Sequence, residues 1–311
     1  MRISFIMDPL ERVKPWKDTS YYLMLAACQR GHQVCHINPS TLSLDHDRVT
    51  ARSVSVDVNS SHQTPFRIIA ESREWLDQSD VVMVRTDPPF DRRYFYITLM
   101  LDLLPASTRV INRPSTLRDW NEKLAALYFP SLTPQTLVSC QHQEIVDFIS
   151  SHGRTTLKPV DGHGGKGVVF VSEEDPQRDE LISQSTNGGK HWIIAQRYLP
   201  EASEGDKRIL LLNGEPLGAI LRVHAEGEEL NNLDAGGSAQ KSTLNERDLE
   251  ICAALQRPLQ ERGVYFAGID IIGGQLIEIN VTSPTGLQEL SQFNSEDYHH
   301  QIIAWLETSM G

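Results

Sequence analysis

Residues 157–170 read LKPVDGHGGKGVVF. Gly162, Gly164 and Gly167 satisfy G-x-G-x-x-G, and Val169 extends the spacing to the G-x-G-x-x-G-x-V of a loop over ATP phosphates. A dinucleotide fingerprint uses the same glycines but needs a helix after them to hold the pyrophosphate. Here VVFV follows, and a run of β-branched and aromatic residues makes a strand. The stretch is therefore a glycine-rich hairpin whose amides can fold over phosphates, with an ordinary tight turn as the alternative. Lys158 lies inside the strand TTLKPV, where a lysine must snorkel to solvent or meet an anion. Lys123 in NEKLAALYF carries no comparable local signal, since a lone helix lysine is ordinarily solvated.

A second constellation lies in GIDIIGGQLIEINVTSP, residues 268–284. Alternation puts Ile277, Ile279 and Val281 on one face of a strand and Glu278 and Asn280 on the other. A three-residue turn at Gly273-Gly274-Gln275 would set Asp270 across from Glu278. Two carboxylates and an amide oxygen on one face form a hard oxygen set suited to Mg²⁺ with nucleotide phosphates; a solvated sheet face is the alternative.

The rest of the chain sorts by periodicity. RISFIM, HQVCHI, DVVMV and RVIN read as strands, alternating with helices in DTSYYLMLAACQRG (capped near Asp18, closed by Gly31) and RRYFYITLMLDLLP. This predicts a βαβ parallel sheet over residues 1–120. From about residue 121 the pattern becomes hairpin-like, with EKLAALYF and QEIVDFISSHG as helices and the strands KRILLL and LGAILRV hinged at Asn213-Gly214. Residues 224–241 are polar and glycine-bearing, which predicts a mobile lid. Thr243 and Glu246 suggest a capping box for a helix reaching Gly263 and kinked at Pro258, and SEDYHHQIIAWLE suggests a last helix. The expected class is α/β, becoming α+β after residue 121, with divisions at 1–120, 121–199 and 200–311.

The chain has 311 residues and 40% hydrophobic residues, enough for two or three domains and a sizeable core. A net charge of −12 argues against nucleic-acid or anionic-membrane partners, which want a basic face. Cys28, Cys35, Cys140 and Cys252 form no C-x-x-C pair and read as free thiols of a reducing compartment. The opening MRISFIMDP is too short for a secretory signal, and no apolar run reaches membrane-span length. A cytoplasmic protein is expected.

A phosphate hairpin with a strand lysine, plus a distal carboxylate-amide strand, resembles the layout of the ATP-grasp fold. Over nearly its whole length the chain is similar to bacterial glutathione synthetases. The likeness runs through KDTS at 17–20, DPPFD at 87–91, NRPSTLRDWNEKL at 112–124, LKPVDGHGG at 157–165 and AQRYLP at 195–200. It continues through GDKRILLLNGEP at 205–216, AGG at 235–237, FAGIDIIG at 266–273 and EINVTSP at 278–284.

The resemblance implies ATP-dependent joining of γ-glutamylcysteine to glycine through an acyl phosphate. By motif, it assigns Lys123 and Lys158 to ATP and Gly164 and Gly165 to the phosphates. Gln196, Arg197, Tyr198 and Leu199 fall on the adenine hinge, and Asp206 on the ribose. Asp270, Glu278 and Asn280 would hold magnesium, with manganese as an alternative. Arg208 and Arg222 would face the transferring phosphoryl group and the substrate carboxylate, in the catalytic role. Ser283 and Thr285, with Gly236 and Gly237, would lie beside the peptide, and Arg85 at its γ-glutamyl end. A homotetramer is implied as well.

The chain departs from the family pattern in three lid positions. His224 replaces a proline, Leu230 an arginine, and Ser238 a basic residue. Losing a cation over an anionic intermediate costs roughly 1–3 kcal/mol in a desolvated site. His163 and Lys166 in the phosphate loop are unusual too, and Lys166 is placed to compensate in part. Two other readings follow: a ligase using a different amino acid or γ-glutamyl compound, and a nucleotide-binding regulator without turnover. The complete Asp270, Glu278, Asn280 set argues against the second. The absence of an HRD-x4-N loop and a DFG disfavours a kinase.

Overall fold

RISFI is buried at four successive positions, Ile3 to Ile6, the pattern of a strand covered on both faces, and it forms β1 (Arg2–Ile6) inside a seven-stranded sheet. The computed structural model describes residues 1–225, 227, 230–231 and 236–309. Asp18 caps α1 (Thr19–Gln29) by accepting from the amides of Ser20 and Tyr21, and Gly31 turns the chain at φ 80° into β2 (Gln33–Ile37). The chain then adds a short β3 (Ser43–Asp45) and a long antiparallel hairpin of β4 (Arg48–Val58) and β5 (Phe66–Trp75). Parallel pairing resumes with β6 (Val81–Val84), and after α2 (Arg92–Leu101) with β7 (Arg109–Ile111). The strand order is β3-β4-β2-β1-β6-β7, with β5 on β4.

This sheet is mixed, whereas the sequence pattern suggested a parallel one. Within the hairpin, β4 alternates at Val54, Val56 and Val58, but β5 gives no apolar period to pair with it, because its residues 67–73 are exposed and polar residues fall on both its faces. β7 runs into the residue that fastens this sheet to the rest. Asn112, 3% exposed, donates to the carbonyls of Phe266 and Val281 (2.7 Å each) and accepts from the amides of Tyr265 (2.7 Å) and Phe266 (2.9 Å).

After α3 (Pro114–Asp119), the expected helix at EKLAALYF is only a 3₁₀ turn over Ala125–Tyr128. A four-stranded antiparallel sheet follows. It comprises β8 (Thr136–Ser139), β9 (Thr155–Pro159), β10 (Val169–Val171) and β11 (Ile193–Arg197), in the order β10-β9-β11-β8. α4 (His142–His152) and α5 (Arg178–Ser185) bury Ile145, Ile149 and Ile182 against Leu157, Val171, Ile193 and Ala195. The glycine loop joins β9 to β10, with Leu157 opposite Val169, so the hairpin reading holds.

The third sheet runs β14-β13-β12-β15-β16. β12 (Asp206–Leu212) and β13 (Glu215–Val223) turn at Asn213 (φ 51°) and Gly214 (φ 80°), the left-handed pair a two-residue hairpin requires. β14 (Ser238–Ser242) pairs with β13, so the end of the expected lid is an edge strand. Of the lid, residues 226, 228–229 and 232–235 lie outside the described residues. The capping box of α6 (Glu246–Glu261) is Asn245 with Asp248, not Thr243 with Glu246. Helical backbone begins one residue after Asn245, and Pro258 sits inside the helix. β15 (Phe266–Ile272) and β16 (Gln275–Asn280) precede α7 (Leu287–Asn294), which the periodicity did not announce, and α8 (Tyr298–Ser309).

The β15–β16 hairpin corrects the sequence reading in an instructive way. Its turn has two residues, Gly273 and Gly274, because Ile272 pairs with Gln275. A bulge beside Ile277 then restores the predicted pairing of Asp270 with Glu278. The extra residue also breaks the alternation. Leu276, Ile279 and Val281 enter the core, while Ile277, expected there, faces the cleft with Glu278 and Asn280.

Candidate active site

A cleft of ≈ 770 Å³ is lined by the second and third sheets and by the loops that follow β1 and β6 of the first. On an acidic chain it gathers Lys123, Lys158, Lys166, Arg208 and Arg222, together with the glycine loop and the β15–β16 carboxylates. Gly164 (φ 60°), Gly165 (φ 76°) and Gly167 (φ 75°) hold left-handed backbone, and a side chain on Gly167 would meet the Pro159 ring at 2.8 Å. The loop can therefore bring its backbone close to a ligand. Lys158, 8% exposed, donates to Gln196 Oε1 at 2.8 Å. Burial penalises its charge and lowers the ammonium pKa to about 8, against a smaller opposing pull from Glu278. Lys123 donates to the Gly162 carbonyl and lies 3.6 Å from Glu278, so it bridges the loop to β16. The weaker of the two lysine signals is thus as well placed as the stronger.

The hinge residues Gln196, Arg197, Tyr198 and Leu199 line the same cleft. Phe170 meets Tyr198 edge-on at 5.5 Å, and the Arg154 guanidinium covers Tyr198 at 4.1 Å. Phe170 and Tyr198, with Leu199, Ile272 and Ile277, form an apolar wall of the kind a purine packs on.

Arg208, Arg222, Asp206 and Asp270 form one buried chain of alternating charge. Arg208 grips Asp270 with two hydrogen bonds of 2.8 Å, and Arg222 adds a third contact at 2.8 Å. Arg222 also donates to Asp206 at 2.5 Å. Burial alone would raise the Asp270 pKa, but the guanidinium groups of Arg208 and Arg222 outweigh it and hold the carboxyl well below the usual range. The arginines predicted to face substrate thus rest on the predicted metal ligand. Asp206, predicted at the ribose, is engaged by Arg222.

Asp270 and Glu278 sit directly opposite across the sheet, with Asn280 Nδ2 3.4 Å from Asp270 Oδ2. Among the described residues no three His, Cys, Asp or Glu side chains converge, so the protein offers two carboxylates and an amide. That donor set fits magnesium, which keeps water and phosphate oxygens in the rest of its shell. At the other end of the cleft, Arg85 (5% exposed) donates to Ser20 Oγ at 3.0 Å and the Pro284 carbonyl at 2.9 Å, leaving its second terminal nitrogen buried without a hydrogen bond. Ser283 donates to Asp87 at 2.9 Å, and Thr285 lies nearby in the lining. Gly236 and Gly237 do not line the cleft.

Sequence reasoning missed Glu122. Its carboxylate accepts from the amides of Val281 (2.8 Å) and Thr282 (2.9 Å) and from the Thr282 hydroxyl (2.8 Å), and so positions the end of β16. Burial, then the charge of Glu278, pushes its pKa up. Only its place beside Lys123 hinted at this.

Residues 1–118 match the model of the prokaryotic glutathione synthetase N-terminal domain, and residues 122–295 that of the prokaryotic glutathione synthetase ATP-grasp domain. The chain belongs to the prokaryotic glutathione synthetase family. The glutathione synthetase of Gloeobacter violaceus is 43% identical over 98% of this chain and 96% of its own. That of Vibrio parahaemolyticus is 38% identical over 93% and 92%. Among solved structures, D-cycloserine synthetase DcsG aligns over 100% of both chains with a TM-score of 0.69 at 16% identity. The ATP-grasp ligase PsnB, solved with minimal precursor, Mg and ADP, aligns over 99% and 98% with a TM-score of 0.63 at 14% identity, a likeness of fold. As a family member the chain is an ATP-dependent carboxylate–amine ligase of mixed α/β, ATP-grasp architecture. No helix among the described residues is long and apolar enough to cross a membrane.

Proposed function

We propose that this chain joins the cysteinyl carboxylate of γ-glutamylcysteine to the amine of glycine, with ATP as the activating substrate and ADP and phosphate as co-products. What supports this reading is the convergence, in one cleft, of phosphate-directed groups with hard oxygen donors and buried arginines. A carboxylate is a poor electrophile, and phosphoryl transfer supplies its leaving group as an acyl phosphate. The protein's share is positioning and charge neutralisation.

In this reading Lys158, Lys123 and the loop amides around Gly164 and Gly165 hold the nucleotide phosphates. Gln196 to Leu199 receive the adenine, and Asp206 is the ribose contact once Arg222 turns to substrate. Asp270, Glu278 and Asn280 hold magnesium, or manganese in its place, and the ion neutralises phosphate charge. Arg208 and Arg222 face the phosphoryl group and the activated carboxylate. Ser283, Thr285 and Arg85 receive the peptide. The family resemblance extends the proposal to a homotetramer in the cytoplasm.

Isotope transfer tests the path. γ-Glutamylcysteine carrying ¹⁸O in its cysteinyl carboxylate, incubated with ATP, magnesium and then glycine, is expected to place one ¹⁸O in the released phosphate. Label kept wholly in the peptide product, or AMP as the nucleotide product, would overturn the acyl phosphate. Label transferred only with another amino acid would keep the mechanism and change the acceptor. Leu230 favours weighing that second outcome, because it lines the cleft where relatives are expected to carry a cation. Leu230→Arg is expected to raise kcat/KM for γ-glutamylcysteine by about tenfold, the scale of one charge-assisted contact. An unchanged or lower value would mean the missing cation has no role here.

A further inference from the structure

Helices α1 and α7, the 295–297 turn and the start of α8 line a second cavity, of ≈ 480 Å³, that shares no residue with the cleft. One buried polar group in its lining is left unsatisfied. His299, 5% exposed, lies against the Tyr22 ring with centroids 4.9 Å apart. Ser291 Oγ donates its single proton to the Leu287 carbonyl at 2.8 Å, so toward His299 Nδ1, at 3.4 Å, it can only accept. The Asp297 carboxylate, 3.9 Å from Nδ1, draws the ring proton to the same nitrogen. Nε2 is therefore a bare acceptor, and it is buried with no hydrogen-bond partner among the described residues. Burial pushes the His299 pKa down to about 4 against the pull of Asp297, so the ring is neutral at pH 7. A buried acceptor in a cavity wall calls for a donor.

The rest of the lining decides which donor. Leu25 and Ala26 supply buried apolar surface, and Tyr22 an aromatic ring. Glu296 and Asp297 are exposed carboxylates, and among the described residues no lysine or arginine lines the cavity. The second histidine, His300, is tied to Gln29 at 2.9 Å. An anion would meet two carboxylates with no cation to offset them. A metal ion does not fit either, since among the described residues no three His, Cys, Asp or Glu side chains converge. We propose that this cavity is a binding site for a small organic ammonium ion, a primary amine on a short apolar body. One N–H is given to His299 Nε2, the charge is shared by Glu296, Asp297 and the Tyr22 ring, and the apolar body rests on Leu25 and Ala26. The site also bears on the cleft. α1 carries Ser20 of the cleft lining two residues before Tyr22, and α7 carries Glu289 of the cleft lining one residue after Gln288 of this cavity. Gln288 accepts from the Thr19 hydroxyl at 2.9 Å and donates to the Lys17 carbonyl, so it joins the two helices. A ligand beside it would brace that joint.

Benzylammonium tests the proposal, with benzoate as the matched anion and benzyl alcohol as the matched neutral compound. Imidazole ¹⁵N spectra of the full chain, with the His299 signals identified by their loss in His299→Phe, report on Nε2 alone. Benzylammonium is expected to move the Nε2 resonance from its bare-acceptor position toward the hydrogen-bonded one and to raise the melting temperature, as a ligand of the native state must. The other two compounds at the same concentration should do neither. His299→Phe keeps an aromatic ring against Tyr22 and removes the acceptor, and should weaken benzylammonium at least about tenfold. Glu296→Gln and Asp297→Asn change exposed side chains, leave the core untouched, and should weaken it about threefold each. An Nε2 resonance that benzylammonium leaves in place would overturn the proposal. So would benzoate binding as tightly, or parental affinity in the Glu296→Gln/Asp297→Asn double variant.

Discussion

Glu278→Gln is expected to lower magnesium-dependent turnover by at least about a hundredfold, the scale set by removing one electrostatic stabiliser from an active site. Nucleotide affinity should change only a few-fold, since Lys158 and the glycine loop are untouched. Folding should survive, because Glu278 projects into the cleft while its neighbour Ile279 is the residue packed in the core. The matching change at Asp270 would be a poorer probe. Asp270→Asn leaves Arg208 and Arg222 buried without the carboxylate they share, and breaking such a cluster typically costs about 3–5 kcal/mol. Turnover of Glu278→Gln measured across magnesium concentrations, beside nucleotide binding by calorimetry, separates the two roles. Parental activity at ordinary magnesium would remove Glu278 from the metal site. Recovery at high magnesium would place it there directly.

Lys158→Met is expected to weaken ATP binding by about a hundredfold, two charge-assisted contacts' worth, while γ-glutamylcysteine binding changes less than about threefold. Equal weakening of both would mean a structural role. The pH profile of the parent gives an independent check. With its pKa lowered to about 8 by burial, Lys158 is an ammonium below that pH and a neutral amine above it, so kcat/KM for ATP should fall as pH rises through about 8.

The stability consequence has the opposite sense. An unfolded lysine keeps its proton to about pH 10.4, so between about 8 and 10 the unfolded chain binds more protons and the folded state gains stability as pH rises. Below pH 8 the buried charge is a constant burden on the fold. Unliganded Lys158→Met should therefore be no less stable than the parent at pH 7, despite the lost hydrogen bond to Gln196. A melting temperature several degrees lower would show that the lysine is held for structure and not for ATP.

Much of the site was legible because it rests on local periodicity. Three glycines followed by VVFV can only make a hairpin, and the structure has β9 and β10 there with Gly164, Gly165 and Gly167 at positive φ. Residues two apart on a strand share a face, which brings Glu278 and Asn280 together, and a tight glycine turn brings Asp270 across from them. Even there the local rule failed by one residue, because a two-residue turn and a bulge together mimic the three-residue turn that the pattern suggested. Ile277 moved to the cleft as a result.

What periodicity alone did not encode is which distant groups meet. Arg208 faces Asp270 because β12 pairs with β15, and Arg222 reaches the same carboxylate because β13 pairs with β12. Lys123, silent in its own segment, acquires a role from the loop it touches 39 residues away. Glu122 does so by holding amides 159 and 160 residues away. The sequence by itself determined β1, β2, β6 and β7, the hairpins β12–β13 and β15–β16, the phosphate hairpin and the faces that carry the chemistry, since these follow from backbone preferences over a few residues. The charge network, the Glu122 latch and the mixed first sheet were decided by tertiary structure, because strand register and burial set the partner of each charge only when distant segments pack together.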